Sequence, residues 1–211
     1  LAVEASIKKD DYVLDAGCGV GGSAIWLAEN IGCKVQGVTI TPSQIVKANQ
    51  SVQNKNLTDK LTFTQQDFLH TNFPNETFDI VWAIESVCHA ENKNDFIKEA
   101  YRVLKNGGRL VMSDGFLMRE PSTNKEKKWL KEFLDGWALL NLVDKDSFQK
   151  GLSDIGFKNI KVTNMKEAVL PEARKIRRMT LWGYPLTKIT ETLRITSPIL
   201  TKNNLGGLAQ Y

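Results

Sequence analysis

Short apolar runs alternate with amphipathic stretches along the first half of the chain. The runs that predict strands occupy residues 12–15, 34–40, 61–65, 78–84 and 109–113. Between them, apolar residues recur at helical spacing over residues 22–30, 43–54 and 94–104. Strands that alternate with helices are typical of a doubly wound, mostly parallel α/β sheet, a Rossmann-like fold. The nearly all-apolar run 78–84 predicts a central strand that is covered on both faces.

The pattern changes after the fifth predicted strand. Amphipathic periodicity predicts helices over residues 126–140 and 146–155, and again over 170–183 and 185–196. Between these pairs, residues 156–162 predict a sixth strand. We therefore expect one domain over residues 1–211, with a helical insertion after the fifth strand.

A glycine-rich segment separates the first strand from the first helix. Glycines stand at positions 17, 19, 21 and 22, directly after the strand that ends at Asp15. Glycine lets a backbone approach a ligand closely, and the following helix N-terminus offers unpaired N–H groups. The segment therefore predicts a ligand-binding loop.

The Gly-x-Gly-x-x-Gly spacing of residues 17–22 also matches a dinucleotide fingerprint. A dinucleotide site places an acidic residue about 20 positions further on to bind the ribose. Here the second strand ends in Thr39 and Ile40, and neither is acidic. Asp15 precedes the glycines, where its carboxylate can meet a ligand ammonium. This combination favours S-adenosylmethionine (SAM) over NAD, and a nicotinamide-dependent oxidoreductase is the competing hypothesis.

Composition and charge exclude several other classes of protein. Hydrophobic residues make up 42% of the chain and the formal net charge is only +4, without a basic stripe, so no nucleic-acid partner is expected. The three cysteines lack metal-binding spacing, which favours a reducing compartment and no metal. No apolar run approaches the roughly 20 residues of a transmembrane segment. We expect a cytoplasmic protein, with a homodimer as a candidate assembly.

Polar side chains stand at or just beyond the carboxyl ends of all five predicted strands. They are Asp15, Thr39, Asp67, Glu85 and Asp114. Ligands of open α/β sheets bind at this edge. We therefore expect these side chains to surround one ligand site.

Several segments, in this order, resemble the motifs of class I SAM-dependent methyltransferases. Residues 13–22 (VLDAGCGVGG) resemble the first motif and 37–44 (GVTITPSQ) the motif after the second strand. Residues 66–68 resemble the adenine-binding turn, and 78–90 with 102–108 resemble the fourth strand and the turn before the fifth. Within the class, residues 83–90 (AIESVCHA) are most similar to sterol C-methyltransferases, and also resemble tocopherol, prenyl-diphosphate and small-molecule N- and O-methyltransferases.

The resemblance implies SAM as the cofactor and S-adenosylhomocysteine as the product. The positions that it assigns to SAM binding are Asp15, Gly17, Cys18, Gly19, Thr39, Ile40, Gln44, Asp67, Phe68, Ile84 and Glu85. An acidic residue usually ends the second strand in this class, and Thr39 replaces it here. Ribose binding is therefore expected to fall to Gln44 and Thr39.

Three residues form the candidate acid/base set, namely His89, Glu85 and Asp114. In C-methylation of an alkene, a carboxylate or imidazole can stabilise and deprotonate the carbocation. With a hydroxyl or amine acceptor, His89 would take the proton instead.

Helical elements over 120–155 and 165–211 are expected on the substrate side. Trp129, Phe133 and Trp137 could wall an apolar substrate pocket, although aromatic residues at helical spacing also occur as core residues. The expected function is methyl transfer from SAM to a small, largely apolar acceptor, with C-methylation of an isoprenoid- or sterol-like molecule as the first hypothesis. N- or O-methylation of a small natural product is an alternative, and a non-catalytic SAM-binding module is an alternative of another class.

Overall fold

Five parallel strands form the sheet of the computed structural model, which describes residues 1–208. They are β1 (Tyr12–Ala16), β2 (Lys34–Thr39), β3 (Leu61–Gln65), β4 (Phe78–Ile84) and β5 (Leu104–Ser113). Their order is β3-β2-β1-β4-β5, and each neighbouring pair is parallel. The doubly wound α/β class and the five predicted strands are confirmed, but β5 begins at Leu104, so residues 104–108 belong to the strand and not to a turn before it.

The centre of the sheet is its most deeply buried part. Val13 of β1 pairs with Ile80 of β4, and neither has measurable solvent exposure. Trp82 of β4 is also buried, and its indole N–H donates to Ser23 Oγ at 2.6 Å. Strands covered on both faces are nearly all apolar, because the side chains on either face of the sheet are removed from water.

Four helices belong to the same compact unit as the sheet. They are α1 (Gly22–Asn30), α2 (Pro42–Asn54), α3 (Lys93–Val103) and α5 (Lys145–Ile155). α2 starts with Pro42. The first N–H groups of a helix have no intrahelical acceptor, so a proline at this position costs no hydrogen bond. α3 starts after Asn92, whose side chain accepts from the Asn94 amide at 3.0 Å. Each of α1, α2 and α3 follows a strand of the parallel sheet, so all three helices start near its carboxyl edge.

The chain divides into two compact units. One comprises residues 1–116 and 146–158, and the other comprises 117–145 and the segment from 159 onward. The second unit contains α4 (Asn124–Trp137), α6 (Lys166–Thr192) and α7 (Pro198–Leu208). In it, a Cβ on Gly136 of α4 would overlap the backbone of Gly206 in α7, so these helices pack closely. A single domain over 1–211 stays a prediction, and its last three residues lie outside the described residues.

The predicted sixth strand was wrong. Residues 156–162 are not part of a strand, and residues 161–165 are exposed to solvent. The apolar residues Phe157, Ile160 and Val162 are compatible with a short strand, but a strand also needs a neighbour to satisfy its backbone hydrogen bonds. Within the described part of the chain, no strand pairs with this segment.

The two helices predicted over 170–183 and 185–196 are a single helix, α6. Pro185 lies inside this helix, although proline removes a backbone donor and usually ends a helix. The helix continues through it, and Thr187 Oγ1 donates to the carbonyls of Gly183 and Tyr184 at 3.0 and 3.1 Å. None of the helices among residues 1–208 combines the length and the apolar content that a membrane span requires.

Candidate functional site

The loop between β1 and α1 is fixed by its backbone. The amides of Gly17 and Cys18 both donate to the carbonyl of Val38 in β2, at 3.0 and 2.9 Å. Gly17, Gly19 and Gly21 have φ angles of 84°, 54° and 84°. Glycine adopts this left-handed region without the steric penalty of a Cβ. The glycine-rich sequence is thus required by the conformation of the loop.

The glycines differ in what surrounds them. A Cβ on Gly17 would overlap Ser86, and one on Gly21 would lie 2.7 Å from the ring of Phe63. A Cβ on Gly19 would meet no atom within 4 Å. Gly17 and Gly21 therefore allow close packing, whereas Gly19 borders open space that a ligand can fill.

Asp15 carries a buried carboxyl group directly before this loop. Its side chain is only 2% exposed, and Oδ2 has no hydrogen-bond partner among the described residues. Burial raises the pKa of Asp15 from 3.8 to about 7. A hydrogen bond from the Ala24 amide lowers the pKa, but by less than burial raises it. A buried carboxylate without a partner is unfavourable unless a donor or a cation meets it. The arrangement fits a ligand ammonium at Oδ2.

The raised pKa of Asp15 predicts how the stability of the unliganded protein depends on pH. Between pH 3.8 and about 7 the folded state keeps a proton on Asp15 that the unfolded state has lost. Stability must therefore fall as pH rises through this window, by at most about 1.4 kcal/mol per pH unit. Thermal or urea unfolding at several pH values should show this fall in the wild type relative to Asp15→Asn. A difference that does not change with pH would contradict the raised pKa.

Thr39 and Gln44 meet at the carboxyl end of β2. Thr39 is buried, and its hydroxyl donates to Gln44 Oε1 at 2.7 Å. The Thr41 amide donates to the same hydroxyl at 3.3 Å. Gln44 Oε1 already accepts a hydrogen bond from Thr39, so the N–H groups of the Gln44 side chain are the part that can donate to a ligand. Ile40 beside them is 66% exposed, so an apolar ligand surface could cover it.

The turn after β3 brings Asp67 and Phe68 to the same edge of the sheet. Asp67 is exposed, and its Oδ1 accepts from the Leu69 amide at 2.9 Å. The Phe68 ring packs edge-on against Phe96, with ring centroids 5.8 Å apart. It also lies 3.7 Å from the position that a Cβ on Gly17 would occupy. Phe68 is therefore a neighbour of the glycine loop, although 51 residues separate the two in sequence.

The end of β4 carries Ile84, Glu85 and His89. Glu85 has a φ of 49°, and its amide donates to Ser113 of β5 at 2.8 Å. A residue with a Cβ in this region stores strain on the order of 1 kcal/mol, which is a frequent property of functional sites. His89 ends a short 3₁₀ helix, Val87–His89, and is exposed, as is Glu85. Both side chains are accessible to a ligand.

Asp114 directly follows β5, and both of its carboxylate oxygens accept from backbone amides. Oδ2 accepts from the Cys88 amide at 2.9 Å, and Oδ1 from the Gly115 amide at 2.8 Å. The carboxylate thus supports the 3₁₀ helix that ends in His89. A catalytic role for Asp114 stays a prediction.

The predicted substrate-side aromatic residues lie on α4 in the second unit. Trp129, Phe133 and Trp137 are spaced four residues apart and share one helix face. The two tryptophans are 41% and 40% exposed, and Lys125 Nζ lies 4.6 Å from the centre of the Trp129 ring. Their role as a pocket wall stays a prediction.

The three cysteines are buried free thiols. Burial raises the pKa of both Cys18 and Cys88 to about 12, so these thiols remain protonated at neutral pH. Cys18 Sγ donates to the Gly19 carbonyl at 3.6 Å within the loop. Among residues 1–208 no group of three histidine, cysteine, aspartate or glutamate side chains is arranged to hold a metal ion. The cytoplasmic location stays a prediction.

A family model described as a methyltransferase domain matches residues 14–112. This range includes Asp15, the glycine loop, the turn at Asp67 and the 3₁₀ helix that ends in His89. The chain belongs to the SAM-dependent methyltransferase family. The predicted class is confirmed.

Relatives of this methyltransferase act on different acceptors. Sterol 24-C-methyltransferase of Saccharomyces cerevisiae is 35% identical over 192 residues, which are 89% of this chain and 47% of that protein. A probable chloroplastic tocopherol O-methyltransferase of Oryza sativa subsp. japonica is 28% identical over 215 residues, 97% of this chain and 59% of that protein. The chain thus spans about half the length of the curated relatives it matches.

A solved structure supports the fold of this methyltransferase. Geranyl diphosphate methyltransferase in complex with SAM superposes with a TM-score of 0.74 at 23% identity. The match covers 98% of this chain and 78% of that one. At this identity the comparison shows that the two proteins share a fold.

Membership of the methyltransferase family implies SAM as the methyl donor, and the site fits it. Asp15 offers a buried carboxylate to the ammonium of the amino-acid end, and Gly19 leaves room beside it. Thr39 and Gln44 offer hydroxyl and amide groups to the ribose. The individual contacts with SAM stay predictions.

The structure adds two residues that sequence reasoning missed. Ser86 is buried, and its hydroxyl donates to the Ala16 carbonyl of β1 at 2.6 Å. Lys93 is 6% exposed, and its ammonium donates to the carbonyls of Cys88 and Ala90. A lysine near a helix start usually lies in solvent, so the sequence carried no signal of this burial.

Proposed function

We propose that this methyltransferase transfers a methyl group from SAM to a small, largely apolar acceptor. The observation that carries the proposal is the buried carboxylate of Asp15, with Oδ2 unpartnered beside the glycine loop. His89 and Glu85 follow β4, the strand next to β1, and supply acid/base groups at the same edge of the sheet. The sterol and tocopherol in the names of two relatives support an apolar acceptor.

C-methylation of an isoprenoid- or sterol-like molecule is the leading form of this proposal. SAM supplies a methyl group on a sulfonium, so a new bond to the methyl carbon forms as the carbon–sulfur bond breaks. The residues of this chain then mainly hold donor and acceptor in line, at about 3–3.5 Å, and exclude water. Asp15 holds the amino-acid end of the donor, Thr39 and Gln44 the ribose, and Phe68 and Ile84 the adenine.

The acceptor must also lose a proton. Attack by an alkene leaves a carbocation, which Glu85 or His89 stabilises and deprotonates. With a hydroxyl or amine acceptor, the alternative form of the proposal, His89 takes the proton directly. The exposure of both side chains makes either route sterically accessible.

Replacing His89 by alanine tests the acid/base assignment. Turnover is expected to fall by about 10²–10⁴-fold, the usual contribution of a positioned acid/base group. S-adenosylhomocysteine affinity should stay nearly unchanged, because Asp15 and the glycine loop remain. The measurement is transfer of a labelled methyl group from SAM to candidate isoprenoids and sterols, together with a calorimetric titration.

His70→Ala is the matched control, because His70 is the other histidine of the chain and is exposed on the turn after β3. It should keep wild-type turnover. Equal losses of S-adenosylhomocysteine affinity and turnover in His89→Ala would make His89 a cofactor-binding residue instead.

One competing function has a direct test, because membership of the SAM-dependent methyltransferase family overturns the alternative of a nicotinamide-dependent oxidoreductase. A SAM-binding module without turnover would bind S-adenosylhomocysteine but transfer no labelled methyl group to any acceptor. Binding together with transfer is the result that the proposal predicts.

A further inference from the structure

Lys93, the first residue of α3, has a buried ammonium that contacts the turn over residues 86–90, which carries His89. The side chain is 6% exposed. Nζ donates to the Cys88 carbonyl at 3.0 Å and to the Ala90 carbonyl at 2.5 Å. These two carbonyls belong to the residues on either side of His89. One ammonium therefore holds the backbone before and after the histidine.

Three more hydrogen bonds connect this turn, or the residue just before it, to neighbouring strands. Asp114 Oδ2 accepts from the Cys88 amide at 2.9 Å, and the Glu85 amide donates to Ser113 at 2.8 Å. Ser86 Oγ donates to the Ala16 carbonyl at 2.6 Å. The contacts anchor the turn to the carboxyl ends of β1 and β5, and Lys93 supplies the contacts from α3.

Burial is the largest influence on the Lys93 ammonium and lowers its pKa, and the Asp114 carboxylate only partly opposes this shift. A buried charge is strongly unfavourable without partners, and carbonyl oxygens with a nearby carboxylate provide them. A shorter or apolar side chain at position 93 would leave the two carbonyls without this donor.

The geometry points to Lys93 as a positioning residue, whose ammonium ties the carbonyls on both sides of His89 and so fixes the orientation of the imidazole towards the acceptor. Lys93 lies behind the turn and does not itself touch the reacting atoms. The inference rests on the proposed function, because the orientation of His89 affects turnover only if His89 accepts the acceptor's proton.

The chain contains two histidines, which allows a test that needs no acceptor. In protein labelled with isotopes only at histidine, His89 and His70 each give one set of imidazole signals in an NMR spectrum. Lys93→Met removes the ammonium with little change in length. It should shift or split the His89 signals and leave the His70 signals in place.

Two further variants separate positioning from general stability. Lys93→Arg keeps a buried cation with several donors and should retain or largely restore a single His89 signal. Lys98→Met on the same helix removes a lysine whose side chain is 62% exposed, and should change neither histidine. If Lys93→Met does not fold, Lys93→Gln, which removes the charge but keeps an amide group that can donate, is compared with the wild type instead, and the same shift of the His89 signals is expected.

Binding and turnover complete the test. S-adenosylhomocysteine affinity of Lys93→Met should stay close to wild type, whereas methyl transfer should fall and Lys93→Arg should recover it. Superimposable His89 signals in the wild type and Lys93→Met would overturn the inference. Failure of the wild type to bind S-adenosylhomocysteine would instead contradict the proposed function, and the NMR comparison would still decide whether Lys93 positions His89.

Discussion

Replacing Asp15 by asparagine is expected to weaken S-adenosylhomocysteine binding by at least about 30-fold, or about 2 kcal/mol. The reason is that the variant removes the negative charge but keeps the shape of the side chain. In the proposed binding mode, the buried carboxylate of Asp15 meets the ligand ammonium away from solvent, where the loss of one charge of a pair has a large effect. Isothermal titration calorimetry measures the change directly.

Asp59→Asn is the matched control for this prediction. Asp59 is exposed and precedes β3, at the opposite edge of the sheet from the glycine loop. The same chemical change there should leave S-adenosylhomocysteine affinity within about twofold, since an exposed charge at this distance is largely screened. Comparable losses in the two variants would show that the effect of Asp15→Asn is not local.

Gly17→Ala is expected to have the largest effect on stability, lowering the free energy of unfolding by about 2–4 kcal/mol. Two separate penalties combine at this position. The φ of 84° is unfavourable for alanine, and the new Cβ would overlap Ser86. Because Ser86 starts the turn that leads to His89, the substitution should also displace that turn. Urea unfolding measures the loss of stability.

Gly22→Ala provides the comparison. Gly22 is the first residue of α1, and a Cβ there would meet no atom within 4 Å. Alanine favours helix over glycine by up to about 1 kcal/mol, so this variant should be as stable as the wild type or slightly more stable. If Gly17→Ala had the same free energy of unfolding as Gly22→Ala, the glycine loop would not pack against Ser86 as closely as described.

The sheet could be predicted from sequence because its signals are local. Each strand is a short apolar run bounded by turn residues, and parallel pairing follows from the helices between them. In β4, six of the seven residues from Phe78 to Ile84 are apolar. The placement of polar residues at strand ends followed from the same reasoning, and the structure brings Asp15, Thr39 and Glu85 to one edge.

The second unit could not be predicted in the same way. The segment 156–162, which leads into this unit, carries apolar residues compatible with a strand, but whether it forms one depends on a neighbouring strand that local sequence does not specify. The continuation of α6 through Pro185 goes against the local preference, because proline lacks the N–H that would donate to the carbonyl of Leu181. Both are tertiary effects that override local propensity.

The supporting residues of the site were missed for a related reason. Lys93 and Ser86 act through backbone carbonyls, and no motif marks a side chain that binds a carbonyl elsewhere in the chain. Asp114 was identified by its position after β5, but its hydrogen bonds to the Cys88 and Gly115 amides could not be inferred from that position. Sequence located the side chains that are proposed to face the ligand, whereas the groups that support them could be recognised only from the structure.

The central claim is that the Asp15 carboxylate binds the amino group of the methyl donor. The most direct measurement compares S-adenosylhomocysteine with 5′-methylthioadenosine, which lacks the amino-acid end, in calorimetric titrations of the wild type and Asp15→Asn. We predict that Asp15→Asn loses at least about 30-fold in affinity for S-adenosylhomocysteine and less than about twofold for 5′-methylthioadenosine. Equal losses for the two ligands, or no loss for S-adenosylhomocysteine, would contradict the claim.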